Sequence, residues 1–239
     1  MSTSSATAEA PWRAGLHSAR ATLKPGLLLI AAAVGVVVSY YRNDSMHAWL
    51  EQVAVWRQRG GFAFAATMMA VFAGVLPFLY LRLERADRSP HPWPQLLFLT
   101  AFWAYKGIEV DLLYRGLTVI FGSGHDWLTV GEKMLCDQLL YNPLFAAPYG
   151  VLLYAWKDAG FHWAAPLADL RTPAWYHRRI LPVMIAVWVV WIPAVCCIYA
   201  LPLALQIPLN TVINCFWVIL FSHLTSRQNR PVRGAGAIG

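Results

Sequence analysis

Lys133-Met-Leu-Cys-Asp-Gln-Leu-Leu-Tyr-Asn-Pro143 places a lysine, an acid, an amide and a proline at the mouth of an apolar run that continues to Trp156. Asp137 and Gln138 stand where a bilayer helix is expected to begin, at a depth where polar groups are costly unless paired or functional. Five further apolar runs share the chain with this one: Gly26–Tyr41, Phe62–Leu81, Leu96–Phe121, Leu181–Leu201 and Leu209–Leu224. Together they predict an all-α fold, a polytopic integral membrane helical bundle of about six helices. Gly26–Tyr41 is short for a crossing, so five or six spans are expected.

Composition points the same way. Of 239 residues, 58% are hydrophobic and only 13% charged, against roughly 25% charged in a soluble domain; the mean hydropathy is +0.47. The net charge of +7 does not form a basic stripe interleaved with aromatics, so nucleic acid is not an expected partner. The positive residues instead punctuate the ends of apolar runs. If both termini lie on the inner side, the inner segments hold Arg13, Arg20 and Lys24; Arg82, Arg85 and Arg88; Lys157, Arg171, Arg178 and Arg179; and Arg227, Arg230 and Arg233. Only Arg42, Arg57, Arg59 and Lys133 fall outside. That asymmetry predicts both termini on one side.

The expected organisation is a basic N-terminal tail (1–25), an additional apolar helix (26–42), an amphipathic interfacial helix (43–61), a membrane bundle (62–224) and a basic C-terminal tail (225–239). The tail also has the composition of a weak organelle-targeting peptide. Trp49, Leu50, Val53 and Trp56 share one helical face, which suits either the membrane interface or packing against protein. Prolines 202 and 208 break Leu181–Leu224 into two helices with a tight turn.

Four charges lie inside the run at 96–121. Lys106 and Glu109 are three apart and Asp111 and Arg115 four apart, spacings that set partners side by side on a helix. At about 100° per residue the two pairs point to nearly opposite faces. Two opposed polar faces imply contact with two neighbouring helices or with a wet cavity; structural ion pairing is the competing explanation. Asp137, Tyr141 and Asn142 form a second polar patch, with Asp137 equally explained as a first-turn acid favoured by the helix dipole. Asn210, Asn214, Trp217 and Phe221 make a stripe that is either interhelical glue or a pore lining. Lys106, Glu109, Asp111, Arg115, Asn210 and Asn214 are therefore the pore or polar-cluster candidates. No catalytic motif stands out, Gly122-Ser-Gly-His125 reads as a loop, and Cys136, Cys196, Cys197 and Cys215 read as small buried hydrophobes. No metal site or cofactor is expected.

These residues carry a resemblance to the Mpv/PMP family, named for the 22-kDa peroxisomal membrane protein, with relatives in the mitochondrial inner membrane. The family's Lys-x-x-x-Asp-Gln-x-x-x-x-Pro is matched by Lys133, Asp137, Gln138 and Pro143. Its Gly-Pro-x-x-His-x-Trp-Tyr corresponds to Gly107 through Tyr114, with Ile108, Asp111 and Leu113 in place of the proline, histidine and tryptophan. Pro182 stands at a family proline before the penultimate span, Ile192-Pro193 at the Trp-Pro pair, and Leu201-Pro202 resembles the later Val-Pro, two residues early. Gln206 replaces the following Arg, and Trp217-Val218 through Phe221-Ser222 stands for the closing Trp-Asn-x-x-Leu-Ser. The resemblance covers Ser45 to Ser222, with Gly26–Tyr41 looking like an added helix.

It implies a small helical membrane protein linked to channel-like permeability and organelle homeostasis, without naming a substrate. The expectation is a non-enzymatic channel or small-solute permeability factor whose partners are the lipid bilayer and a small solute or ion, acting as a monomer or a homo-oligomer. A membrane scaffold or assembly factor is the alternative, and an intramembrane enzyme using Glu109 or Asp111 as general base is the remote one. The inner membrane is implied for a bacterial chain, and a mitochondrial inner or peroxisomal membrane for a eukaryotic one.

Overall fold

Apolar side chains face outward along most of the helices, Leu28, Leu83, Leu97, Val119, Leu144 and Phe216 among them. A bilayer would cover such a surface and water would not. The computed structural model describes residues 11–84 and 92–228; residues 1–10, 85–91 and 229–239, and most side chains of 11–22 and 220–228, lie outside the description. The described chain is all-α. It runs α1 (Pro11–Arg42), α2 (Asp44–Met69), a π-helical turn (Ala70–Val75), α3 (Leu76–Leu83), α4 (Pro92–Phe121), α5 (Trp127–Leu135), a π-helical stretch (Cys136–Ala146), α6 (Ala147–Asp158), α7 (Ala164–Leu170), α8 (Trp175–Tyr199) and α9 (Leu203–Gln228).

Three stretches are long and apolar enough to cross a membrane: Leu23–Arg42, Asp44–Leu83 and Trp175–Tyr199; Leu203–Ile219 is apolar but shorter. At 30 residues α4 is also long enough to cross, about 45 Å at 1.5 Å per residue, but it carries four charges. The turn between α8 and α9 falls at Pro202; Pro208, expected in the break, lies inside α9, which starts at Leu203.

Several boundaries depart from the expected organisation. Pro11–Pro25 is helical rather than a tail, because Pro25 sits inside α1 without ending it; one missing N–H is tolerated in an apolar helix held by its neighbours. Nor is 26–42 an appendage. Leu29, Ala33 and Tyr40 join Val190, Ala194 and Tyr199 of α8 in one core. The amphipathic helix and the span after it form one rod, bent at Gly61, whose φ of 52° suits glycine. On that rod Leu50, Ala54 and Arg57 face the bundle while Trp49 and Trp56 are exposed. The expected polar loop before Arg179 contains α7. There Asp169 accepts from Arg179 Nε at 2.8 Å and from Trp175 Nε1 at 3.1 Å, and the Arg179 guanidinium holds its carboxyl below the usual range.

The outer positive charges also need correction. Arg57 and Lys133 are buried in the bundle rather than flanking it. Asp111 is fully buried and hydrogen-bonded by Arg57 of α2, and also receives Arg115 Nε at 3.2 Å. Beside this cluster, α2 and α4 cross at close range. A Cβ on Gly107 would sit 2.3 Å from the Ala65 carbonyl oxygen, so only glycine allows the approach.

Gly107→Ala should therefore cost about 1–3 kcal/mol through forced separation of the helices. Gly35→Ala, on an open side of α1, should shift stability by no more than about 1 kcal/mol. Comparable thermal unfolding of the two variants in detergent would refute the close-crossing account.

A second prediction concerns Asp111. Asp111→Ala strands the buried Arg57 and should cost about 3–5 kcal/mol. Adding Arg57→Leu should recover most of that loss; adding Arg115→Ala should not, because Arg115 is part-exposed. The double-mutant cycles, read by denaturant unfolding, decide between the two partners.

Candidate functional site

The polar residues that the sequence scatters over three helices meet at one cavity of about 210 Å³. Lys106 projects into it from α4; Asp137, Gln138, Tyr141 and Asn142 from the π-helical stretch; Asn210 and Asn214 from α9. Trp103, Trp191 and Trp217 supply much of the apolar wall.

The π-helical stretch makes the convergence possible. At α-helical spacing of about 100° per residue, Asn142 would lie about 140° from Asp137 and Ala146 opposite it. Wider i→i+5 turns bring Asp137, Asn142 and Ala146 to the same cavity. Pro143 lies within the stretch and contributes no N–H. Trp188 Nε1 donates to the Gln138 carbonyl at 2.9 Å, and Tyr176 OH to that of Pro143 at 2.9 Å. Helix α5 starts at Trp127 behind the cap Asp126, whose carboxylate accepts from Leu128 N and Thr129 N. Asp137 and Gln138 are thus inside the rod, not at its first turn, and the dipole explanation of Asp137 does not apply.

Two polar networks share the wall. In the first, Lys106 Nζ donates to Glu109 Oε1 at 3.0 Å and to Tyr141 OH at 3.1 Å. Tyr141 and Tyr149 both donate to Glu109, and Nζ stands 5.5 and 5.4 Å from their ring centroids. In the second, Asp137 accepts from Tyr199 OH at 2.6 Å and Gln138 Nε2 at 3.1 Å, and Gln138 accepts from Asn142 Nδ2 at 3.3 Å. Across the cavity, Asn214 Nδ2 donates to the Asn210 carbonyl at 3.0 Å and to its side chain at 3.2 Å.

The predicted candidates therefore separate. Lys106, Asn210 and Asn214 line the cavity; Glu109, Asp111 and Arg115 do not. Glu109 is 8% exposed behind Lys106, and Asp111 and Arg115 point toward α2 and its Arg57. Among the family-motif positions, Tyr114, Asp137, Gln138 and Trp217 line the cavity. Gly107 and Lys133 are buried, Pro143 lies in the π-helical stretch, Pro182 and Pro193 lie inside α8, and Pro202 precedes α9. Ser222 is on α9, its side chain outside the described residues. Lys133 is 1% exposed, with no carboxylate in ion-pair range among the described residues.

Sequence reasoning missed Arg57, Tyr149 and Tyr199. Arg57 was legible as the third member of the spacing Leu50, Ala54, Arg57; nothing local marks the two tyrosines. The cysteines are free, and all four are partly rather than fully buried. Gly122–His125 is a loop, and His125 Nδ1 lies 3.3 Å from the Tyr199 carbonyl. Among the described residues no three His, Cys, Asp or Glu side chains cluster as a metal site.

Lys106→Met should destabilise the protein because Glu109 is left with tyrosine donors alone. The double change Lys106→Met with Glu109→Gln should recover part of the loss. Additive effects in the cycle would mean that the two residues are uncoupled.

Comparison with family models, with curated proteins and with solved structures found no match to this chain.

Proposed function

We propose that this protein is a non-enzymatic integral membrane permeability factor, a channel or small-solute pathway, related to the Mpv/PMP family. The observation that carries the reading is the convergence of Lys106, Asp137, Gln138, Asn142, Asn210 and Asn214 on one cavity inside an otherwise apolar bundle. Polar residues that only glue helices together need no space between them; about 210 Å³ is roughly seven times the ~30 Å³ that a water occupies in the liquid. Four of the positions that carry the resemblance line this same cavity. The inner membrane, or a mitochondrial inner or peroxisomal membrane, follows from the resemblance alone.

A scaffold role is the second reading, and the pairing of Glu109 and Asp111 favours it, since both acids are accounted for by ion pairs within the bundle. An enzyme is the least supported. Among the described residues lining the cavity there is no serine, threonine, cysteine or histidine, and neither acid considered as a base reaches it.

The test is reconstitution of the full chain into proteoliposomes and planar bilayers, measuring glycerol flux and salt conductance. Passage is expected in the wild type, should be lost in a folded Asn214→Phe protein that fills the cavity, and should persist in Leu140→Phe on the exposed face. A folded wild type that passes neither solute nor current would leave the scaffold reading in its place.

A further inference from the structure

The wall of the cavity keeps acceptors in reserve. Each of its amide nitrogens makes a bond within the wall, Gln138 to Asp137, Asn142 to Gln138, Asn214 to Asn210, and Asn210 to Met69 Sδ at 3.8 Å, and Gln138, Asn142 and Asn210 each keep one further N–H. Two of the three Lys106 N–H groups go to Glu109 and Tyr141. The amide oxygens of Asn142 and Asn214 accept from no described residue. Asp137 receives only two neutral donors, although a carboxylate offers about four lone-pair sites.

It is charge that is lopsided. Lys106 is matched by Glu109, and Lys133 is buried with no carboxylate in ion-pair range among the described residues. Asp137 is 5% exposed and has no cation within ion-pair distance among the described residues. A buried carboxylate hydrogen-bonded by neutral groups is unfavourable, and Lys106, the cation whose charge reaches Asp137, is held by Glu109, so an entering cation still gains at Asp137. The tryptophan wall selects further. Indole faces attract cations but offer no oxygens to replace the hydration shell of a metal ion, which needs six or more. An ammonium brings N–H groups for the free acceptors and an apolar body for the indoles.

We propose that the cavity binds a small aliphatic ammonium, with Asp137 as counter-ion and the amide oxygens of Asn142 and Asn214 accepting its N–H groups. The proposal names the solute class of the permeation site and so rests on that reading of the cavity.

Calorimetric titration of the full chain in phosphatidylcholine nanodiscs tests it, with n-propylammonium as probe, propionate and n-propanol as controls of similar shape, and empty nanodiscs as background. Saturable binding of propylammonium alone is expected. Asp137→Asn should weaken it by about tenfold or more, the loss of a charge-assisted hydrogen bond. Asn214→Asp adds a carboxylate at the opposite wall and should tighten binding, which keeps the test decisive if Asp137→Asn fails to fold. Propionate or propanol binding as well as propylammonium, no saturable propylammonium binding, or unchanged affinity in folded Asp137→Asn or Asn214→Asp protein would each overturn the proposal. Saturable ammonium binding in a protein that passes no solute would uphold the site and sink permeation. Solute flux without ammonium binding would do the reverse.

Discussion

Asp111 has no water to ionise against, and the fold is arranged around supplying it with guanidinium groups. Arg57 reaches it from α2 and Arg115 from the next turn of α4. Two residues before Asp111, Glu109 takes Lys106 from its own helix and two tyrosine hydroxyls from the rod opposite. Because these acids point to opposite sides of α4, their partners fix that helix against α2 on one flank and against the α5–α6 rod on the other. Breaking a buried pair costs more than forming it gains, so the charges act less as glue than as a register. A rotated or slipped α4 would leave acids unpaired in an apolar surround. Gly107 lets that register close, since it allows α4 to touch the Ala65 backbone at the level of the charges.

The same constraint explains where regular helix gives way. Cys136–Ala146 trades α-helical turns for wider ones over eleven residues. Loosened carbonyls need outside partners, and side chains of α8 provide two of them, Trp188 at Gln138 and Tyr176 at Pro143. The widening turns Asn142 toward the space Asp137 already faces. A stretch of backbone that is less favourable than α-helix thus gathers polar groups that straight helix would disperse, a recurring use of π-helical turns at functional sites.

Local pattern carried much of this. Apolar runs predicted the all-α bundle and Pro202 the α8–α9 turn, although Pro208 lies inside α9, and helical spacing predicted that Lys106 meets Glu109 and Asp111 meets Arg115. It failed where partners are distant or the period changes. Tyr199 is 62 residues from the Asp137 it serves, and Tyr149 is 40 from Glu109; no local rule links them. Arg57 was read as a flanking charge because positive residues near span ends usually are. Asn142 was placed beside Asp137 in sequence, but 100° per residue cannot say that both share a face when the helix is not α.

Partner type sorts the acids better than depth does. Glu109 and Asp111 are as deep as Asp137, yet each meets a cation from its own helix and has no remaining claim on a ligand. Asp137 meets only a phenol and an amide, groups that satisfy its geometry without cancelling its charge. Had Lys133 turned toward Asp137 four residues on, a spacing that permits pairing on a regular helix, the charge would have been cancelled within the rod. No such pair forms among the described residues, and Asp137 stays in the cavity wall without one. A sequence reading that asked only which charges lie in the membrane would group all three acids. Asking which of them lacks an opposite charge within ion-pair distance singles out Asp137.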